Sequence, residues 1–186
     1  MSHNTLNRNG LPEHLRILAD RYPRTGWETH GNFDDMTRFW LDRHLMFREV
    51  LSRLTLETRA HLDRETDAME FARRTARLTS FFLNQLHGHH MIEDHHYFPL
   101  LTAQEPRLAS GFTLLESDHL QLDENIDRLE KRTNHMLGRI RDGSADSGAG
   151  VVLDLLEDFD RFLHRHLTDE EELVVPIILE HGSVHV

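Results

Sequence analysis

The chain has 186 residues, 38% of them hydrophobic, which is enough apolar material for the core of one ordinary domain. Its net charge of −11 and its lack of Lys/Arg-rich runs argue against a nucleic-acid partner, and the absence of cysteine excludes disulfides, thiolate-bound zinc and iron–sulfur clusters. No apolar run approaches the length of a membrane span and the start lacks the layout of a signal peptide, so we expect a cytoplasmic protein without a membrane partner.

Helical periodicity is the strong pattern in the chain, and it predicts an all-α fold. Residues 1–32 form an extension with one short helix, because Pro12 stands at a helix-start position among leucines at helical spacing. Four long helices follow, at 33–62, 67–98, 107–141 and 150–180. Their short connections favour an up-down-up-down four-helix bundle over residues 33–180, with 181–186 as a tail.

Each long helix has one inward stripe, and each stripe contains one histidine. The predicted stripe of the first helix is Met36, Trp40, His44, Phe47, Leu51 and Leu54, and that of the second is Leu78, Phe82, Leu86, His89, Glu93, Tyr97 and Leu100. The third is Leu108, Phe112, Leu115, His119, Leu122, Ile126, Leu129, Thr133, Met136 and Ile140, and the fourth is Val152, Leu156, Phe159, Leu163, His166, Glu170, Leu173 and Ile177. At 1.5 Å per residue the four histidines lie about 14–21 Å from one end of the bundle, at a shared level.

The second and fourth helices also repeat a motif. His89 and His166 are each followed by a glutamate four residues later, Glu93 and Glu170, and by a proline ten residues later. Residues four apart share a helix face, so each pair presents a nitrogen and an oxygen to one point. We infer a helical hairpin that occurs twice, with its halves related by an approximate two-fold axis.

Two carboxylates in an apolar core are costly, and protonation, an ion pair or a metal can offset that cost. The stripes contain no Lys or Arg. Four imidazoles and two carboxylates suit two metal ions that are bridged by both carboxylates and a solvent oxygen. This donor set suits iron, with manganese or zinc also compatible.

The histidine-rich stretch at 87–96 allows one alternative. His90 and Asp94 have the same spacing as His89 and Glu93, and rotating the helix by one residue would place them inside. The match between His89 and His166 favours the first arrangement. We expect His87, His95 and His96 to lie at the surface or behind the ligands. A ferritin-like arrangement is rejected, since the first helix offers only His44.

These motifs resemble the hemerythrin-like, or HHE cation-binding, proteins, whose four-helix bundles hold a non-haem diiron centre. The resemblance covers roughly residues 33–180, through His44 with Arg48, "HHMIEDHHYFPLL", "ESDHLQL" and "HRHLTDEEELVVPII". It implies a centre of two iron ions bridged by the two glutamates and held by His44, His89, Glu93, His119, His166 and Glu170.

One position departs from the oxygen-carrying members of that family, which place a second histidine one turn after the first in the third helix. Here that position is Asp123, which is either close enough to act on the metals or a solvated or arginine-paired aspartate. With fewer imidazoles, sensing or consumption of oxygen or peroxide is as well supported as reversible carriage.

Three functions follow. The leading hypothesis is a diiron protein that binds or senses oxygen, peroxide or nitric oxide, in a pocket whose apolar walls come from Phe47, Phe82, Leu115 and Leu163. The second is iron or zinc handling, or metal-dependent regulation in which the N-terminal helix moves or docks on a partner protein. The third is a metal-free bundle, which the buried carboxylates disfavour. The sequence leaves open whether the protein is a monomer or a homodimer.

Overall fold

The computed structural model describes residues 10–144 and 147–184, and every regular element within those ranges is helical. The all-α prediction is therefore confirmed for the described part of the chain. The helices are α1 (Ile17–Arg21), α2 (Asp35–Leu62), α3 (Ala68–Ile92), α4 (Phe98–Gln104), α5 (Ala109–Arg141) and α6 (Ala149–His181). Short 3-10 turns lie at Glu13–Leu15, Arg24–Thr29 and Pro106–Leu108. None of the described helices is both long and apolar enough to cross a membrane.

The predicted first, third and fourth long helices agree with α2, α5 and α6 to within two residues at each end. The predicted connection at 142–150 and the predicted tail at 181–186 each include residues outside the described ranges. The predicted second helix, 67–98, is too short, because helical structure continues without a break from α3 to the end of α4. The up-down-up-down order of the helices stays a prediction.

A π-helical segment, Glu93–Tyr97, joins α3 to α4. The amide of Phe98, the residue after this segment, donates to the carbonyl of Glu93. Pro99 gives the physical reason: it has no amide hydrogen for the carbonyl of His95, and its ring crowds the preceding turn. A π turn holds one residue more than an α turn, so the inward face shifts by one position. The predicted inward position of Leu100 is therefore wrong, since Leu100 is 39% exposed and Leu101 is buried. Tyr97 is partly buried and packs against the core, next to the fully buried Phe98.

The chain forms two compact units, and the long helices contribute residues to both. The first unit comprises the described residues up to Leu45, then His89–Leu120 and the described residues from His164 onward. Its apolar core brings together α4, α5, α6 and the described residues before α2, 10–34, which we call the N-terminal segment. The buried members of that core are Leu11, Leu15, Leu18, Phe98, Leu101, Leu108, Phe112, Leu115, Leu173, Val174, Ile177 and Ile178.

The N-terminal segment explains why the end of α6 is buried on nearly every side. Trp27 packs against Val175 and Leu179 in a second cluster. Arg16 pairs with Glu172 of α6 at 2.9 Å, and Arg21 pairs with Glu180 at the same distance. The predicted extension is thus part of the folded first unit.

The second unit comprises Met46–Gly88 and Gln121–Leu163. Its interior includes aromatic contacts in which Phe82 lies edge-on to Phe47 and to Phe159, with ring centroids 6.3 and 5.6 Å apart. His61 stacks on Phe71 at 4.2 Å. The buried positions of Phe47, Phe82 and Phe159 agree with the predicted stripes.

The start of α2 differs from its predicted stripe. Met36 is 52% exposed, and Thr37 is buried in its place. Asp34 precedes the helix and accepts hydrogen bonds from both the amide and the hydroxyl of Thr37, each at 2.8 Å. This capping turns Thr37 inward, since a side-chain oxygen at the N-cap bonds the third residue of the helix.

Candidate metal centre

Four helical segments of the first unit place a first group of metal-ligating side chains in contact. The group consists of His44 from α2, His89 from α3, Glu93 from the π segment and Glu170 from α6, and its donor atoms lie within 4.8 Å of one another. Nε2 of His44 lies 3.0 Å from Nε2 of His89, which lies 2.9 Å from Oε1 of Glu93. His89 is the slightly exposed member, with 8% of its side chain accessible.

A second group consists of three buried histidines, His90 from α3, His119 from α5 and His166 from α6, with ring nitrogens again within 4.8 Å of one another. Nε2 of His119 lies 3.2 Å from Nε2 of His166. His90 stacks on His119, with ring centroids 4.1 Å apart and planes tilted by 15°. Phe98, turned inward after the π segment, stacks on His119 at 5.5 Å.

The two glutamates connect these groups. Glu93 contacts His89 through Oε1, and its Oε2 lies 3.9 Å from Nε2 of His119. Oε2 of Glu170 lies 3.6 Å from Nε2 of His44 and 3.5 Å from Nε2 of His166. Each carboxylate therefore lies near one histidine of each group, which is the geometry that a bridging carboxylate requires.

Several donor atoms in this region are buried without a hydrogen bond among the described residues. They are both ring nitrogens of His90, Oε2 of Glu93 and both oxygens of Glu170. A buried polar atom left without a partner costs about 1–3 kcal/mol. A cation that accepts lone pairs from these atoms would offset that cost, so the donor set fits a metal that prefers imidazole and carboxylate ligands.

Carboxyl groups on the far side of two imidazoles fix how the rings are oriented. Nδ1 of His44 lies 3.0 Å from Oε1 of Glu171, and Nδ1 of His119 lies 2.7 Å from Oδ1 of Asp94. If each carboxylate oxygen accepts the hydrogen of Nδ1, Nε2 of the same ring keeps a free lone pair. Nδ1 of His166 lies farther from its neighbouring carboxylate, at 3.6 Å from Oδ2 of Asp118. Such outer carboxylates commonly orient metal-binding histidines.

Burial keeps the imidazoles in the neutral form that a metal needs. It lowers the pKa of His44 to about 4, and the hydrogen bond with Glu171 only partly opposes this effect. Burial likewise lowers the pKa of His166 to about 4, against the opposing hydrogen bond with Asp118. The pKa of His90 lies well below its usual range, through burial and then the charges of His119 and His166.

The two glutamates differ in the metal-free protein. Burial raises the pKa of Glu170 well above its usual range, and the neighbouring charge of Glu93 adds to the increase. Burial would also raise the pKa of Glu93, but the charge and hydrogen bond of His89 outweigh it and hold that pKa well below its usual range. The pKa values of the two carboxyl groups are therefore shifted in opposite directions, and Glu170 holds its proton more tightly than Glu93 does.

These shifts predict two opposing effects of pH on the stability of the metal-free protein. Between pH 6.5 and about 4 the unfolded chain protonates His44 and His166 while the folded chain does not, so their contribution to stability falls as the pH falls. Glu170 acts in the opposite direction: above its ordinary pKa the folded chain keeps a proton that the unfolded chain has lost, so its contribution to stability falls as the pH rises toward the folded pKa. Melting temperatures measured in chelator from about pH 4.5 to 8.5 test this. In Glu170→Gln the alkaline decline should shrink while the acid decline stays. A wild-type melting temperature that rises steadily through pH 8 would contradict the assignment.

The structure brings all six predicted ligands into these two groups, and their role as ligands stays a prediction. Sequence reasoning missed His90, which is buried beside His89 and belongs to the second group. The spacing of His90 and Asp94 had indicated this alternative in the sequence. Both residues contribute to the site, because His90 lies among the donors and Asp94 bonds His119. His87, His95 and His96 are exposed, as expected.

Asp123 lies outside both groups. Its side chain is 47% exposed and lies 3.3 Å from Nδ1 of His87, which is also exposed. The expectation that Asp123 faces the metals is therefore wrong, and the alternative of a solvated aspartate is correct. The apolar neighbours Leu122 and Leu129 occupy the buried positions of α5 instead.

A helical protein with imidazoles and carboxylates gathered in its interior belongs to the class of cation-binding helical proteins. Comparison with protein families identifies the family. The hemerythrin HHE cation binding domain matches residues 35–178, and the chain belongs to that family. No curated protein and no solved structure matches the chain.

Proposed function

We propose that the protein is a non-haem diiron protein that binds or senses oxygen or a related small ligand such as peroxide or nitric oxide. The observation that carries the proposal is the position of Glu93 and Glu170, each within 4 Å of one histidine from each group. Two cations placed in the two groups would share both carboxylates. A single cation would use the donor atoms of only one of the two groups.

In this proposal His44 and His89 would hold one iron ion, and His90, His119 and His166 would hold the other. Glu93 and Glu170, which lie near both groups, would contribute carboxylate oxygens to the centre. When bound, such an iron pair supplies a redox couple and an open position for a small ligand. The protein residues orient the ions, keep the imidazoles neutral and exclude water.

The surroundings of the donors favour a small guest. Nε1 of Trp40 donates to Oε1 of Glu93 at 2.7 Å, and the Trp40 and His44 rings lie 4.1 Å apart. Phe98 covers His119. Because five of the six predicted ligands are buried and His89 is nearly so, a bulky substrate would have to displace packed aromatic side chains. Diatomic ligands and peroxide are small enough to enter.

Metal analysis of protein from iron-supplemented cells tests the proposal. We expect about two metal ions per chain and a coloured protein, because an oxo-bridged diferric pair absorbs visible light and zinc does not. The absorption spectrum should change when reduced protein is mixed with oxygenated buffer. One metal ion or fewer in metal-replete protein would contradict the dinuclear arrangement.

A second function, iron or zinc handling or metal-dependent regulation, is favoured by a different observation. The N-terminal segment contacts α6, and Arg24 of that segment bonds Glu171, which bonds His44. A change at the metal site could therefore reach a surface that a partner protein recognises. Metal-loaded protein whose spectrum does not respond to oxygen, peroxide or nitric oxide would favour this second function over the first.

A further inference from the structure

A chain of contacts runs from the N-terminal segment to one of the imidazoles. Nη2 of Arg24 lies 2.5 Å from Oε2 of Glu171, and the other oxygen of Glu171 lies 3.0 Å from Nδ1 of His44. Nε2 of the same ring lies among the donors of the first group. Glu171 thus has one oxygen toward the segment and the other toward a ligand.

The burial of these groups differs along the chain of contacts. The Glu171 side chain is 2% exposed and that of Arg24 is 53% exposed. Arg24 offers the buried carboxyl group of Glu171 a positively charged hydrogen-bond donor. With one oxygen held by Arg24, the other oxygen of Glu171 stays directed at Nδ1 of His44.

The position of Arg24 is itself fixed by the segment. Its guanidinium lies 4.6 Å from the centre of the Trp27 ring, a cation–π contact. Trp27 is buried, and its Nε1 donates to the carbonyl oxygen of Tyr22 at 2.8 Å. The turn that holds Arg24 is therefore anchored independently of Glu171.

We propose that Glu171 is a positioning residue for His44 and that Arg24 holds the Glu171 carboxyl group in place, so that the N-terminal segment contributes to metal affinity. The inference rests on the proposed role of His44 as a ligand. Glu171 holds the His44 ring with the Nε2 lone pair toward the cation. Arg24 lies outside residues 35–178, so this contribution comes from a part of the chain beyond the matched family domain.

The same segment offers a matched control. Arg16 pairs with Glu172, the next residue of α6, at 2.9 Å, with 38% and 28% of the two side chains exposed. This pair also ties the segment to α6, but among the described residues Glu172 bonds an arginine and not a histidine. A purely structural role of the segment would make the two pairs equivalent.

The test compares Arg24→Gln and Glu171→Gln with Arg16→Gln and Glu172→Gln in the full chain. Affinity for zinc, and for ferrous iron without oxygen, is measured by chelator competition, and the melting temperature of each metal-free variant is recorded. We expect Glu171→Gln to weaken the more easily removed ion about 10- to 100-fold, the range for outer partners of metal ligands. Arg24→Gln should weaken it several-fold, Arg24→Lys should restore most of the affinity, and both controls should stay near wild type.

Equal loss of affinity in Arg24→Gln and Arg16→Gln, at equal metal-free melting temperatures, would overturn the inference and leave a structural role for the segment. Wild-type affinity in Glu171→Gln would overturn it as well. The proposed diiron centre fails on a different result. If the wild type binds one ion, the dinuclear arrangement is wrong, while the ratio between Arg24→Gln and Arg16→Gln still decides the inference.

Discussion

Metal-loaded protein should melt roughly 15–30 °C above metal-free protein. Without a cation, Glu93 and Glu170 share a buried space, and several donor atoms have no hydrogen bond among the described residues. An ion present at a thousand times its dissociation constant stabilises the fold by about 4 kcal/mol, so two ions contribute about 8 kcal/mol. For a chain of this size each kcal/mol raises the melting temperature by roughly 2–4 °C. Calorimetry or circular dichroism, with metal and then with chelator, gives the comparison.

Glu170→Gln is the informative variant for this prediction. Burial raises the pKa of Glu170 and favours its neutral form, which a glutamine of the same shape imitates. The metal-free variant should therefore melt close to the metal-free wild type. The rise on adding metal should be much smaller, since the amide cannot bridge as a carboxylate does. Identical melting curves for loaded and metal-free wild type would show that metal and fold are not coupled.

Replacement of His90 by phenylalanine should reduce the metal content from about two ions per chain to about one. The ring of His90 stacks on His119, and both of its nitrogens are buried without a hydrogen bond among the described residues. Phenylalanine keeps the stacking and removes two unsatisfied polar atoms, and this gain offsets the strain of its slightly larger ring, so the metal-free fold should stay close to the wild type in stability. Affinity at the second group should fall by about 100-fold or more, beyond the usual effect of an outer partner.

His61→Phe is the matched control, because His61 also stacks on an aromatic ring and has a buried nitrogen without a hydrogen bond. It belongs to neither group of donors. Metal content by elemental analysis should stay at about two ions in this variant. If His90→Phe also keeps two ions of unchanged affinity, His90 is a packing residue and the second group holds its cation with two imidazoles.

The sequence predicted the long helices and the central ligands because these depend on regular spacing. His44, His119 and His166 lie on helices in which the buried residues near the histidine follow regular three- and four-residue spacing. This spacing is visible in the sequence and predicts that the three histidines point inward. The hairpin repeat added the two glutamates, whose four-residue spacing from a histidine is independent of the helix ends.

The remaining features depend on departures from regular spacing. The π turn at Glu93–Tyr97 changes the phase of the helix, so Tyr97 and Leu100 were predicted inside where Phe98 and Leu101 lie. His90 was set aside because the hairpin repeat matches His89 with His166, whereas the two groups of donors receive both adjacent side chains, His89 and His90. Spacing alone left two alternatives for Asp123, and the structure shows the exposed one.

The packing of the N-terminal segment could not be predicted from the periodic pattern either. Short elements such as α1 give few positions from which a face can be counted, and their partners are decided by tertiary contacts. Arg24 has no sequence neighbour that marks it as a partner of Glu171, which is 147 residues away. Such a contact becomes visible only when the fold brings the two residues together.

The two groups contain unequal numbers of histidines, and this difference should decide which metal each group prefers to bind. Three imidazoles form the group of His90, His119 and His166, whereas the group of His44 and His89 has two imidazoles and closer carboxylate oxygens. Nitrogen-rich positions favour borderline ions such as zinc, and oxygen-rich positions better accommodate harder ions such as manganese. When iron is scarce, the two positions should therefore take up different substitutes, and one chain would carry a mixed pair rather than two copies of the same ion.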